Sequence, residues 1–148
     1  GVKLKLSSTK TIVKNKSIIL IDDSLVRGTT CHKIVNMLYE SGAKEVHVRI
    51  ACPEIIYPDY YGVDMPTRQE LLAFNKSNLE MCNYIKAKTL KFLSLDGLYR
   101  ALVNEKRNSS YPQFSDHYFT GDYPIKPDDN MSGIKVKQLS LLSGKSNN

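Results

Sequence analysis

Asp22 and Asp23 stand side by side at the end of the run Ile18-Ile-Leu-Ile-Asp-Asp-Ser-Leu-Val-Arg-Gly-Thr-Thr30, which also carries hydroxyls at Ser24, Thr29 and Thr30, a cation at Arg27 and a glycine at Gly28. Hydroxyls and a glycine at the start of a helix suit an anion. The first backbone N–H groups of a helix have no partner within it, the helix dipole is positive there, and a residue without a Cβ lets a ligand approach the chain. Two carboxylates would repel that anion, so they must face another part of the ligand. Ionised acids accept hydrogen bonds from paired sugar hydroxyls, or hold magnesium directly or through water. A five-carbon sugar with a terminal phosphate offers both kinds of group at a suitable separation.

The elements that must position these residues can be read from the apolar pattern. Ser17 to Ile21 is a continuous aliphatic run, expected to form a central parallel strand covered on both faces, and ligands of an open parallel sheet gather beyond the carboxyl ends of its strands. From Thr30 the residues Cys31, Ile34, Val35 and Leu38 recur at helical spacing, and Gly42 supplies the left-handed residue that ends such a helix. Glu45 to Cys52 reads as the next strand, closing a right-handed βαβ unit. Thr67 with Glu70 forms a capping box ahead of Leu71, Leu72 and Phe74; Ser77 caps a helix with Leu79, Met81, Cys82 and Ile85 inward. Leu90 to Leu93 is a short strand, and Ser94 starts a helix with Leu95, Leu98, Tyr99, Leu102 and Val103 on one side. The alternation predicts an α/β fold with a parallel sheet and flanking helices to about Glu105, then an irregular carboxy-terminal tail. Residues 1–16 are basic and read as a solvated arm, with Val2, Leu4 and Leu6 spaced for a short edge strand.

Other ligands for the acid and hydroxyl run fit less well. A Walker loop needs an earlier glycine and a Lys before the Thr, and a dinucleotide fingerprint needs G-x-G-x-x-G. A phosphoacceptor receiver domain also places acids after its first strand, yet it needs a further Asp ending a later strand, where this chain has Ala51-Cys-Pro53. An Asp–Ser pair that merely caps a helix accounts for one acid and leaves the other, the glycine and the two threonines without a task.

Composition narrows the classes further. The chain has 148 residues, 41% of them hydrophobic, enough for one core. No stretch has the length and apolarity of a membrane span, and the amino end lacks the pattern of a signal peptide, which predicts a cytoplasmic protein with no membrane association. Cys31, Cys52 and Cys82, and His32, His47 and His117, are scattered, so they read as reduced thiols and isolated imidazoles, without a His/Cys metal cluster. The net charge of +6 favours an anionic partner, but the lysines are spread along the chain without an aromatic-lined groove, and nucleic acid is not expected. The chain begins at Gly1 in sequence that reads as the approach to an interior strand, so upstream sequence is expected.

The Asp22 to Thr30 run resembles the phosphoribosyl-pyrophosphate (PRPP) motif of type I phosphoribosyltransferases, and in particular that of the amidophosphoribosyltransferase family. The resemblance extends through Ser41-Gly-Ala-Lys-Glu-Val46, Pro53-Glu-Ile55, Tyr61-Gly-Val-Asp-Met-Pro66, Glu70-Leu71 and Phe119-Thr-Gly-Asp-Tyr123, covering about Val2 to Tyr123. It implies a partial Rossmann-like phosphoribosyltransferase domain over residues 1–105, with the PRPP motif at 18–30, and an extension over 106–148 that packs on it and frays at its end. It implies a pentosyltransferase of the first step of purine synthesis, forming phosphoribosylamine from PRPP and glutamine or ammonia. Asp22 and Asp23 would take the ribose hydroxyls and Mg2+, while Ser24, Arg27, Gly28, Thr29 and Thr30 would hold the 5′-phosphate. Arg27 reads equally as a pyrophosphate ligand or as a solvent-facing or structurally paired side chain. Purine nucleotides as inhibitors and a homo-oligomer are further implications.

Two departures from the family pattern stand out. Its glutaminase domain, pyrophosphate loop and most of its flexible loop lie outside this sequence, and Gly1 to Leu6 resembles only the tail of that loop, so a truncated form of the enzyme is expected, with a non-catalytic PRPP- or nucleotide-binding fragment or gene remnant as the competing reading. Some members hold an iron–sulfur cluster through four cysteines, and the corresponding places fall near Asp59, Ser115 and Tyr118; no cluster is expected.

Overall fold

The computed structural model describes residues 10–63 and 66–125. Three parallel strands form its sheet, in the order β1 (Ser17–Asp22), β2 (Glu45–Ile50), β3 (Thr89–Phe92). Ser17 pairs with Glu45 and Asp22 with Ile50, while His47 pairs with Thr89 and Ile50 with Phe92. The helices are α1 (Lys10–Val13), α2 (Thr29–Glu40), α3 (Leu72–Asn75), α4 (Asn78–Tyr84), α5 (Leu95–Val103) and α6 (His117–Thr120), with a 3-10 turn at Arg68–Glu70 before α3.

Because side chains alternate along a strand, the register puts Ile18, Leu20, Val46, Val48, Ile50 and Leu90 on one face of the sheet. Against that face pack Cys31, Val35 and Leu38 of α2 and Met81 and Cys82 of α4, which makes the core. β1 was expected at the centre of the sheet with cover on both faces. Among the described residues it lies instead at the end of the strand order, and Ile19 and Ile21 on the opposite face are 64% and 72% exposed. An aliphatic run says that both faces suit apolar neighbours; it does not say that the same stretch of chain supplies them.

The basic arm also differs from expectation at its end. Residues 10–13 coil into α1 and Val13, 3% exposed, enters the core. The backbone then ties in, with the Asn15 N–H donating to Gly42 O and the Lys44 N–H to Lys16 O. Val2, Leu4 and Leu6 lie outside the described residues.

The local caps stand where the hydrogen-bonding chemistry of the side chains places them. Ser77 and Glu80 form a capping box on α4, Ser94 Oγ accepts the Gly97 N–H at the start of α5, and Thr67 and Glu70 box the 3-10 turn. The second strand ends two residues earlier than expected, at Ile50. Helical spacing misplaced three residues: Leu79 is 71% exposed, and Leu102 and Val103 also face solvent, because α4 has only two turns and α5 buries Tyr99 alone.

Residues 53–63 and 105–125 form an irregular layer knit by long-range hydrogen bonds. The Ile56 and Tyr57 N–H groups donate to Tyr118 O, Tyr123 Oη donates to Pro58 O and Tyr61 Oη to Ile125 O. Tyr99 of α5 donates to Asp116 there, so this helix joins the layer. No helix among the described residues is long and apolar enough to cross a membrane.

Candidate functional site

β1 delivers Asp22 as its last residue and Asp23 as the first of the loop, and α2 begins six residues later at Thr29. Between them a cleft of about 340 Å³ is lined by the chain from Asp22 to Cys31, so all seven residues singled out from the sequence meet on one hollow. The Asp22 carboxylate accepts the Asp23 N–H at 3.1 Å, and the Asp23 carboxylate accepts the Ser24 N–H at 2.8 Å. Each uses Oδ1 alone, which leaves the other carboxylate oxygen to a ligand.

Gly28 sits immediately before α2 at φ 74°, and no side chain caps this helix. The first N–H to close back on the loop is that of His32, to Gly28 O. The first turn therefore lines the cleft without a capping hydroxyl or carboxylate, and the dipole adds positive potential. Gly28 is required twice over. Its left-handed backbone disfavours a side chain, and a Cβ there would lie 2.7 Å from Leu72 Cδ2 and 3.1 Å from Tyr84 Cε1.

The loop rests on partners far away in sequence that the sequence reading had not connected with it. The Leu72 N–H donates to Val26 O at 2.8 Å. His32 Nδ1 donates to Tyr84 O at 2.7 Å, which makes Nε2 the acceptor of the Asn36 amide at 2.8 Å. Arg27 Nη2 donates to Glu70 Oε1 at 3.0 Å, with its side chain 53% exposed at the cleft. The capping role of Glu70 was legible; its second partner, 43 residues away, had no local signal.

Two thiols report on the acids. Burial pushes the Cys31 thiol up to about 11, with the Asp22 charge adding to the effect. Burial likewise takes Cys52 to about 11, reinforced by the Asp23 charge and opposed by a backbone hydrogen bond at Leu25. Both are free thiols and poor nucleophiles, beside rather than within the chemistry of the cleft.

The positions aligned with the cysteines of cluster-bearing relatives do come together. Asp59 Oδ1 accepts from His117 Nε2 at 2.9 Å, and Ser115 Oγ donates to His117 Nδ1 at 3.0 Å. The nearby Tyr118 hydroxyl also favours the Asp59 charge. Oxygen and nitrogen groups fill each other's hydrogen-bonding capacity here. Among the described residues no group of three or more His, Cys, Asp or Glu side chains could hold a metal ion. A wider hollow of about 510 Å³ lies beside this knot, between Ser109 to Ser115 and Asp122 to Pro124, but its acid, Asp122, is already engaged by Arg107.

Comparison with known proteins bears on the same segment. No family model matches the chain. An amidophosphoribosyltransferase of Rhizobium etli is 50% identical over 144 residues, which is 97% of this chain and 29% of the relative. One from Staphylococcus aureus is 49% identical over 124 residues, 84% of this chain and 25% of the relative. The Bacillus subtilis glutamine PRPP amidotransferase, solved in complex with ADP and GMP, superposes with a TM-score of 0.72 at 42% identity over 79% of this chain and 26% of its own. A structure described as the allosteric regulatory enzyme of purine biosynthesis gives 0.73 at 41% identity, over 82% of this chain and 26% of its own. The chain thus spans between a quarter and a third of the length of these relatives, with the parallel sheet and flanking helices of the type I phosphoribosyltransferase fold. At this identity over most of its length, the chain is homologous to a segment of amidophosphoribosyltransferases.

Proposed function

We propose that the cleft binds PRPP, and that the longer protein represented by this segment forms phosphoribosylamine from PRPP and glutamine or ammonia, the opening step of purine synthesis. The observation that carries this reading is the uncapped amino end of α2, entered through left-handed Gly28, with two half-used carboxylates at the end of the adjacent strand. The N–H groups of the first turn, with the Ser24, Thr29 and Thr30 hydroxyls, hold the 5′-phosphate. Asp22 and Asp23 accept the ribose hydroxyls and so fix the ring before the anomeric bond breaks. Positive charge that develops on the ring is stabilised by these two acids, which the strand end and their own backbone hydrogen bonds hold in place.

The donor set also fits Mg2+. Both acids keep a free oxygen, hard oxygen ligands suit this ion, and one or two carboxylates with substrate and water complete its preferred shell. When bound, the ion would offset charge on the departing pyrophosphate. Purine nucleotides as inhibitors of the longer protein are part of the same proposal, in line with the ADP and GMP bound in the Bacillus subtilis structure. The setting proposed is cytoplasmic, in a homo-oligomer.

Calorimetric titration of the chain with PRPP in the presence of Mg2+ tests the site. Binding is expected, and replacing both Asp22 and Asp23 by Asn should weaken it at least tenfold, about 1.4 kcal/mol. No binding by the unaltered chain, or equal binding by the double variant, would overturn the assignment. Pyrophosphate release on adding ammonia separates an active transferase segment from one that only binds.

A further inference from the structure

Glu70 is the acid that the cleft borrows from outside its own loop. Its two carboxylate oxygens divide their work: Oε2 accepts both the N–H and the hydroxyl of Thr67, at 3.0 and 2.9 Å, and Oε1 accepts Arg27 Nη2 at 3.0 Å. The capping box thereby fixes the carboxylate, and the carboxylate aims the guanidinium. The segment that carries it is itself anchored. Leu71 and Leu72 are buried, the Leu72 N–H holds Val26 O next to Arg27, and Arg68 stacks its guanidinium 4.3 Å from the Phe74 ring centre and 4.8 Å from that of Tyr57.

Stability does not account for this pair. Both side chains are about half exposed, at 53% and 47%, where an ion pair contributes little to folding because water screens it and ordering two long side chains has an entropic cost. Its geometry matters more. A guanidinium has five N–H donors in a planar fork, so Arg27 with one donor given to Glu70 retains the others for phosphate oxygens. The same cleft holds Asp22 and Asp23. A guanidinium freed from Glu70 is drawn to those acids, which would occupy the groups that a sugar needs and withdraw the cation from the phosphate.

We propose that Glu70 is a positioning residue for the sugar-phosphate site, holding Arg27 at the mouth of the cleft, clear of the paired aspartates and turned toward the phosphate of the ligand. The proposal rests on the PRPP reading above and adds to it the residue that acts through Arg27, from a segment 43 residues away.

The test is a double-mutant cycle on the full chain, reading Kd by calorimetry for PRPP with Mg2+ and for ribose 5-phosphate. Glu70→Gln should raise both constants about tenfold with no change in melting temperature. In an Arg27→Ala background the same change should have no further effect, a coupling that a merely structural role for Glu70 would not produce. Equal affinity of the unaltered and Glu70→Gln chains, or the same loss in the Arg27→Ala background, overturns the role of Glu70 and leaves the PRPP site standing. If the unaltered chain binds neither ligand, the site reading falls, and this role falls with it.

Discussion

Asp22 and Asp23 each receive one hydrogen bond, from the next backbone N–H in the chain. Asp59 receives the Tyr61 and Val63 N–H groups on one oxygen and His117 Nε2 on the other, and Asp116 receives Arg107, Tyr99 and Thr120. The first pair ends a strand and opens on a cleft; the second pair lies buried in the layer formed by residues 53–63 and 105–125. Counting spare acceptor capacity separates the two uses of the same residue. An acid whose oxygens are all engaged by its own protein fastens the fold, and one with an oxygen left over at a helix start is placed for a ligand. Electrostatics follows the same division. Burial alone would raise the Asp116 carboxyl, but hydrogen bonds from Arg107 and Tyr99 outweigh it and hold the group below the ordinary range. The hydrogen bonds that Arg107 donates to Asp116 and then to Asp122 hold it firmly protonated.

If that division is right, the largest loss of stability comes from the fastening region. Arg107 and Asp116 are 12% and 4% exposed, and Arg107 donates to Asp116 through both Nε and Nη2. Arg107→Ala leaves a buried carboxylate facing only Tyr99 and Thr120, and removal of one member of a buried pair costs about 3–5 kcal/mol. Urea unfolding followed by circular dichroism should show it. A loss below 1 kcal/mol would mean that water reaches Asp116 and that the two regions differ less than their geometry indicates.

Asp59 comes next and adds a pH signature. Burial opposes its charge, yet donors from Val63, His117, Tyr61 and Tyr118 lower its pKa to about 2, from 3.8 for an unperturbed group. A carboxyl lowered on folding stabilises the native state above its unfolded value, and the contribution fades as pH drops through the folded one. Here that window runs from about pH 4 down to about pH 2. Asp59→Asn should remove this part of the acid slope and cost about 1.5–3 kcal/mol at neutral pH, the range for a hydrogen bond to a charged group. Melting temperatures measured between pH 2 and 7 would reveal it, and an unchanged slope would show that Asp59 is not held ionised by the knot.

What could be read from the sequence, and what could not, follows the range of the interactions. The strand and helix pattern, the boxes at Thr67/Glu70 and Ser77/Glu80, and the run from Asp22 to Thr30 each sit within a few residues, where spacing alone determines which side chains meet. Asp59 with His117, Arg27 with Glu70 and Val26 with Leu72 lie 58, 43 and 46 residues apart, and no periodicity links them. The exposed face of β1 escaped the reading for a related reason. Aliphatic residues at Ile19 and Ile21 declare a preference for cover, while the cover itself depends on neighbours that the pattern of one strand does not contain.

The smallest effect offers the sharpest view of the ligand-facing acids. Asp23→Asn removes a charge from an exposed side chain that no buried partner needs, so stability should change by no more than about 0.5 kcal/mol, in contrast to Asp59→Asn. The change is still visible nearby. Burial is the main reason that the Cys52 thiol stands near 11, and the Asp23 charge adds to it, so the Asn variant should bring that thiol down. The rate of Cys52 alkylation by iodoacetamide against pH would report it, since the thiolate is the reacting form. Cys31 serves as the internal reference, because its added charge comes from Asp22. A shift at Cys52 with none at Cys31 shows that the Asp23 charge acts on its own side of the cleft, apart from Asp22. No shift at Cys52 would mean that the Asp23 carboxylate points away from the wall of the cleft, and the contrast with the buried acids would then rest on Asp22 alone.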